Sequence, residues 1–339
     1  MSKANRQKAG VKSASSHMAA GLLSGGGLVT FDSLSSGFAS MEETEDTMSL
    51  KKLSKRDSST REKALRELME RCTEENSDTV VSTFSQFSAN FDKIIFDCSP
   101  IVRHLAMRLI TKQVNILKKK AERDLFNILP SIIFASCDPY SPCATEATNF
   151  LNSMFTQEKF DVILEKLSDK LLKTLEEIIV SGESTLLIPS KLLNNDEEDS
   201  AAERRDRLHE QSYGVMVKIL RGGRREEAEK ILSHRLTNIK KNEMSRGLLN
   251  AIAACVDPVS LISSCSLFDR LLSPFSSSDQ YSLLTVSTDL LLLVLASTSL
   301  PLNEKEKKKV VNTLITFLKK CSISEWESIG VRLLPLFSS

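Results

Sequence analysis

Ile94-Ile95-Phe96-Asp97-Cys98-Ser99-Pro100 returns as Ile132-Ile133-Phe134, then Cys137-Asp138-Pro139-Tyr140-Ser141-Pro142, with the two Ser-Pro pairs 42 residues apart. Each copy runs an apolar segment into an acidic turn and restarts it at Ser-Pro. A serine hydroxyl at an N-cap accepts a backbone N–H. A proline in the first turn leaves no N–H unpaired and has φ preset near the helical value. The stretch therefore reads as the start of the second helix of a helical hairpin, written twice.

A two-helix unit recurring at roughly 40–47 residues is the period of HEAT and armadillo arrays. The rest of the chain agrees. Of 12 glycines, six fall before position 40, and past residue 50 Leu, Ile, Val, Lys, Glu and Ser dominate without strand alternation. The expected fold is all-α: a HEAT/armadillo-like helical-repeat solenoid preceded by a disordered N-terminal arm.

Residues 1–48 hold eleven large apolar residues beyond Met1. Burying each stabilises by about 1.5–3 kcal/mol, while ordering each of the 48 backbones costs about 1–2 kcal/mol, so the arm is expected to be disordered when free. It carries Lys3, Arg6, Lys8 and Lys12 with no acid before Asp32, then an apolar stretch around Phe31 and Phe38. These six are candidate partner contacts, cations for phosphates and aromatics for protein. The acid-poor start is a weak transit-peptide signal, with one Arg and no amphipathic stripe.

Helical periodicity then gives Ser59-x-x-Glu62 as a capping box, with Ala64, Leu65, Leu68, Met69 and Cys72 on one face. It gives a helix near 78–96 on Val80, Phe84, Phe87, Phe91 and Ile94, and its partner after Ser99-Pro100 on Val102, Leu105, Ala106, Leu109 and Leu117. Lys118, Lys119 and Lys120 read as cations in that helix's last turn, where they favour its dipole, in preference to a phosphate site. A second pair follows at 122–136 and 141–155, then a helix from Gln157 to Val180. Residues 49–181 form the first repeat block, and 182–200, with Asn194-Asn195-Asp196-Glu197-Glu198-Asp199, an acidic linker loop. Residues 201–339 form further repeats, at 201–221, 224–235, 243–256, 261–272, 281–297 and 303–321, with a last helix around Trp326, Ile329, Val331, Leu334 and Leu336. Solenoids end in a polar cap; this one stops on Leu334-Pro335-Leu336-Phe337, so the array is expected to continue.

Leu290 to Leu295 is apolar enough to look membrane-like, but Asp289 lies beside it. A charge at a bilayer centre costs at least about 2.5 kcal/mol, so a buried solenoid helix is expected and no membrane contact. With 45 Lys and Arg against 44 Asp and Glu, net charge +1, any nucleic-acid contact has to be local. Seven cysteines without a C-x-x-C pair fit packed thiols in a reducing cytosol. No phosphate-loop, dinucleotide, nucleophile-elbow or H-E-x-x-H motif occurs, and His17, His104, His209 and His234 lack motif partners. No catalytic residue, metal ligand or cofactor site is assigned.

The run Leu50-Lys51-Lys52-Leu53-Ser54-Lys55-Arg56-Asp57-Ser58-Ser59-Thr60-Arg61-Glu62-Lys63-Ala64 resembles the opening of the folded part of the listerin family, large RING-type E3 ubiquitin ligases of ribosome-associated quality control. The Asp97-to-Arg103 turn with its Val102-Arg103 pair, and Cys137-Asp138-Pro139-Tyr140-Ser141-Pro142 before Ala147 and Phe150, resemble the family's turns. The resemblance is carried by 50–180; the arm is similar, and beyond 200 only helix-pair character persists. It implies the N-terminal solenoid, docking a cytosolic ligase, as a monomer, on the large ribosomal subunit and its quality-control factor bound to peptidyl-tRNA. Asp138 and Tyr140 join the candidate contacts, on the face around the 97–103 and 137–142 turns. The family's RING has a C-x2-C…C-x-H-x2-C-x2-C pattern that is missing here, so zinc and the ubiquitin-conjugating enzyme are expected only through a RING outside these 339 residues. The competing reading is a generic HEAT/armadillo scaffold or transport adaptor without ubiquitin function, and an enzyme with its own active site is a distant third.

Overall fold

A computed structural model describes residues 44–182, 184, 201–239, 243–276, 281–297, 303–320, 322, 327, 329 and 331–333. The described residues are 84% helical with no strand. The elements are α1 Glu45–Lys52, α2 Ser58–Arg71, α3 Ser77–Ile95, α4 Pro100–Leu117, α5 Glu122–Ala135, α6 Ser141–Met154 and α7 Gln157–Glu176. After these come α8 Ala201–Leu220, α9 Arg225–Thr237, α10 Arg246–Ala253, α11 Pro258–Ser264, α12 Phe268–Leu272, α13 Tyr281–Ala296, α14 Glu304–Lys320 and α15 Val331–Leu333.

Both Ser-Pro sites open helices, but their serines differ. Ser99 is the N-cap of α4, its hydroxyl accepting from the Val102 N–H at 3.3 Å. Ser141 is instead the first residue of α6, behind Tyr140 at the N-cap. Helices stack by skipping one position: α2 on α4 and α4 on α6 form one layer, α3 on α5 the other. Val80, Phe84, Phe87, Phe91 and Ile94 of α3 and Val102, Leu105, Ala106 and Leu109 of α4 are all buried between the layers.

Three boundaries differ from the sequence reading. Composition places the arm at 1–48, yet α1 begins at Glu45. Thr44 caps it, Glu45 and Asp46 suit its N-terminal dipole end, and Lys51 and Lys52 its C-terminal end, so the charge clusters on either side of Thr47 belong to one short helix. Asp57, rather than Ser59, caps α2: its carboxylate takes the Thr60 N–H at 2.8 Å, and Glu62 accepts instead from the Ser99 hydroxyl at 3.2 Å. The expected helix over 261–272 is two, α11 and α12, broken at Ser266 with φ of 52°.

Most of the acidic linker, Trp326, and Leu334 to Phe337 lie outside the described residues. The chain resumes at α8 without starting a separate core. Alpha8 packs on α5 and α7, and one apolar core runs from Leu50 to Val294, with a second around Phe275, Leu291, Leu314 and Leu333. Leu290, Leu291 and Val294 are fully buried, while Asp289 faces outward to Arg332 at 2.8 Å. No single described helix is long and apolar enough to cross a membrane.

Candidate docking surface

The two repeated turns are joined by a ladder of buried arginines. Arg61 sits four residues past the N-cap of α2, and Arg103 four past that of α4, 42 residues on. Arg61 reaches back with Nη1 to the Lys55 carbonyl at 2.8 Å and forward with Nη2 to Asp97 Oδ1 at 2.9 Å; its Nε lies 2.9 Å from Oδ2. Arg103 repeats the gesture. Its Nη1 donates to the carbonyls of Asp97 and Cys98 at 2.8 and 3.0 Å, and Nε and Nη2 donate to Asp138 at 2.7 and 3.0 Å. Each guanidinium thus ties the turn before its own helix to the turn of the next unit.

The aspartates are prepared alike. Asp97 Oδ1 accepts the Ser99 N–H at 2.9 Å, and Asp138 Oδ1 the Tyr140 N–H at 2.8 Å. Side-chain exposure is 4% and 8% for Arg61 and Asp97, and 3% and 0% for Arg103 and Asp138. Alpha8 locks onto the ladder's end: Gln211 donates to Asp138 Oδ2 at 3.0 Å and Arg204 to the Phe96 carbonyl at 3.2 Å. Replacing such buried pairs by apolar side chains is often neutral, whereas removing one partner strands a charge. The ladder's contribution is accordingly the register between successive hairpins.

Of the candidate contacts, Asp138 has no exposed side-chain surface and is engaged by Arg103, Tyr140 and Gln211, so its carboxylate shapes the turn. Tyr140 is half-buried, its ring 6.3 Å edge-on from that of His104, whose pKa burial lowers. Pro100, Ile101, Pro139, Ser141 and Pro142 are the exposed residues of the two turns. Lys3, Arg6, Lys8, Lys12, Phe31 and Phe38 lie outside the described residues. The sequence reading named Arg103 only as part of a turn and Arg61 only within the 50–64 run, and passed over Gln211. Arg61 and Arg103 share the Ser-Pro interval and were findable by period; Gln211, 73 residues from Asp138, was not.

Burial pushes the thiols of Cys72 and Cys98 up to about 11 and that of Cys255 to about 12, and raises Cys137 and Cys143 as well. Among the described residues no group of three or more His, Cys, Asp or Glu could hold a metal ion.

A laddered helical repeat with apposed turns is a scaffold geometry shared by many proteins, and comparison with known sequences decides among them. Residues 41–339 match the family described as E3 ubiquitin-protein ligase listerin, N-terminal domain. The chain belongs to the listerin family. It is 30% identical over 234 residues to the E3 ubiquitin-protein ligase listerin of Caenorhabditis elegans, covering 65% of this chain and 16% of that protein. The Caenorhabditis briggsae listerin is also 30% identical over 234 residues, with 65% and 15% covered. The mouse listerin is 29% identical over 120 residues, 35% of this chain and 7% of the relative. The chain therefore spans about a sixth of the length of the worm listerins it matches. The listerin match also runs through 201–339, where short sequence strings carried no family signal.

Proposed function

We propose that this listerin-family chain is a docking module, the part of an E3 ubiquitin ligase that holds stalled large ribosomal subunits in the cytosol for ubiquitination of the nascent chain. The observation that carries the reading is the family match over 41–339, on a fold whose described residues are helices stacked in layers. Its mechanism is positional. Tethering converts the meeting of a remote RING, its ubiquitin-charged partner and the stalled chain into an intramolecular event, and raises their effective concentration into the millimolar range for short linkers. Partners on this reading are the large subunit and the quality-control factor bound to peptidyl-tRNA.

The test is co-sedimentation of the chain with purified large subunits, with and without peptidyl-tRNA, at several salt concentrations. Binding that strengthens when peptidyl-tRNA and its factor are present is expected. Comparing the whole chain with one lacking residues 1–43 asks what the arm adds; charge removal at Lys3, Arg6, Lys8 and Lys12 should flatten the salt slope, by about 3 for four single-strand phosphate contacts at roughly 0.7 each. No sedimentation with subunits under any condition would sink the reading and favour a scaffold without a ribosomal role.

A further inference from the structure

The outer face of α4 carries charge of one sign. Residues 100–117 contain Arg103, Arg108 and Lys112 and no acid. Arg103 is buried in the ladder, but Ile101, Arg108, Lys112 and Asn115 are exposed and His104 half-exposed. At 100° per residue these five fall within about 80° of arc, one straight stripe along the helix. The stripe runs directly into Lys118, Lys119 and Lys120, which follow the end of α4 in a 3-10 turn and are all exposed. Arg108 and these three lysines make no ion pair with a described residue. Lys112 gives one N–H to the Met69 carbonyl at 2.7 Å and keeps its charge in water.

The lysine triplet alone is explained by the helix dipole. Its continuity with Arg108 and Lys112 on an acid-free helix is not. Lys118 also holds φ of 50°, a left-handed conformation that glycine adopts freely and lysine does not. Acids stand on the helices around α4, Glu70 on α2, Glu122 on α5 and Glu146 on α6, and of these Glu146 acts on His104. The neighbouring α6 exposes Thr145, Asn149 and Asn152, neutral donors. By contrast α7 mixes signs along its exposed surface: Glu158, Lys159, Asp161, Glu165, Lys166, Asp169 and Lys170.

We infer that the α4 stripe with the Lys118–Lys120 turn is a docking face for the phosphate backbone of duplex RNA. Cations about 6 Å apart along a helix, from Arg108 to Lys112, suit a polyanion with a charge at every residue. Arg pairs with phosphate in bidentate fashion and amides and hydroxyls add backbone contacts without reading sequence. An acidic protein partner fits less well, because protein interfaces centre on buried aromatic or aliphatic anchors and the stripe offers Ile101 alone, at its end. The inference deepens the docking reading and rests on it only for the source of the RNA.

The test is fluorescence anisotropy of a labelled RNA hairpin duplex with the whole chain, across a salt series, alongside large-subunit co-sedimentation. Four to five contacts at roughly 0.9 each predict a log–log salt slope near −4. The triple variant Arg108→Gln, Lys119→Gln, Lys120→Gln should lose about 3 of that slope and at least tenfold in affinity. Lys159→Gln, Lys166→Gln, Lys170→Gln on α7 should change neither, and circular dichroism should be the same for both. Equal losses from the two triples, absent salt-dependent binding, or equal affinity for a poly-glutamate peptide would overturn the assignment. Subunit binding by the α4 triple as tight as by the parent chain would also remove α4 from the interface, while leaving the docking reading intact. Loss of RNA binding in the α4 triple, in a chain that never bound subunits, would uphold the RNA face and reject the docking reading.

Discussion

The described residues of 44–181 and of 201–333 are both helical, and the contacts within the two stretches differ in kind. In the first block, buried bidentate arginines join each turn to the next, and α2 to α7 are helices of 14 to 20 residues. In the second, α10, α11 and α12 have 8, 7 and 5 residues, and the ion pairs Arg235–Glu243 and Arg332–Asp289 lie nearer the surface, as does Arg224–Asp169 between the two. There α10 meets α8 at Gly247: its N–H donates to Glu210 Oε1 at 3.1 Å, and a Cβ would stand 1.9 Å from Glu210 Oε2 and 3.1 Å from the Tyr213 Cβ. One block joins its hairpins through buried ion pairs, the other through more exposed pairs, a glutamate acceptor and a close approach at a glycine.

The contrast breaks most sharply at the ladder. Arg103→Ala should destabilise by about 3–5 kcal/mol, because Asp138 is left charged and buried, whereas Arg332→Ala on the exposed Asp289 pair should cost less than about 1 kcal/mol. Urea titrations of the two variants measure the gap, and equal losses would erase the distinction between blocks. Next in size, Leu105→Ala and Leu109→Ala should each cost about 2–5 kcal/mol, both side chains being buried between the layers; a loss below about 0.5 kcal/mol would put the wrong face inside. Gly247→Ala tests the second block's shape, with about 1–3 kcal/mol expected from overpacking, less if Glu210 swings aside.

The smallest effect is pH-dependent and sits where the blocks meet. His209 on α8 lies by the Ile178 carbonyl at 3.3 Å and edge-on to Tyr213, and burial lowers its pKa from 6.5. A lowered folded-state pKa means the neutral form is favoured on folding. The stability it carries is present above about 6.5 and is lost as pH falls through the folded value. Thermal melts at pH 7.5 and 5.5 should show a drop that His209→Gln reduces; an unchanged drop would assign it to other groups.

How much of this could be read from the residues follows the same divide. The Ser-Pro repeat and the phenylalanine stripe of α3 announced hairpins and their inner faces because both signals are local and periodic. Asp97 and Asp138 were visible as repeated turn residues, but their burial was not, since an acidic turn ordinarily faces water; only Arg61 and Arg103 at the same interval could have revealed it. Alpha1 hid in the arm because eight residues carry too little periodicity to stand out. The break at Ser266 and the return of α8 onto α5 depend on tertiary packing across long separations, which composition does not encode. The acidic stretch after Gly182 looked like a domain boundary, yet Arg204 and Gln211 cross it to reach Phe96 and Asp138.

The central claim, that the first block is a rigid platform whose α4 face docks on the large subunit, is tested most directly by lysine-acetylation footprinting of the whole chain with and without bound subunits. Lys112, Lys118, Lys119 and Lys120 should lose reactivity in the complex while Lys159, Lys166 and Lys170 of α7 keep theirs. Protection of the α7 lysines with the α4 lysines still reactive would contradict the account.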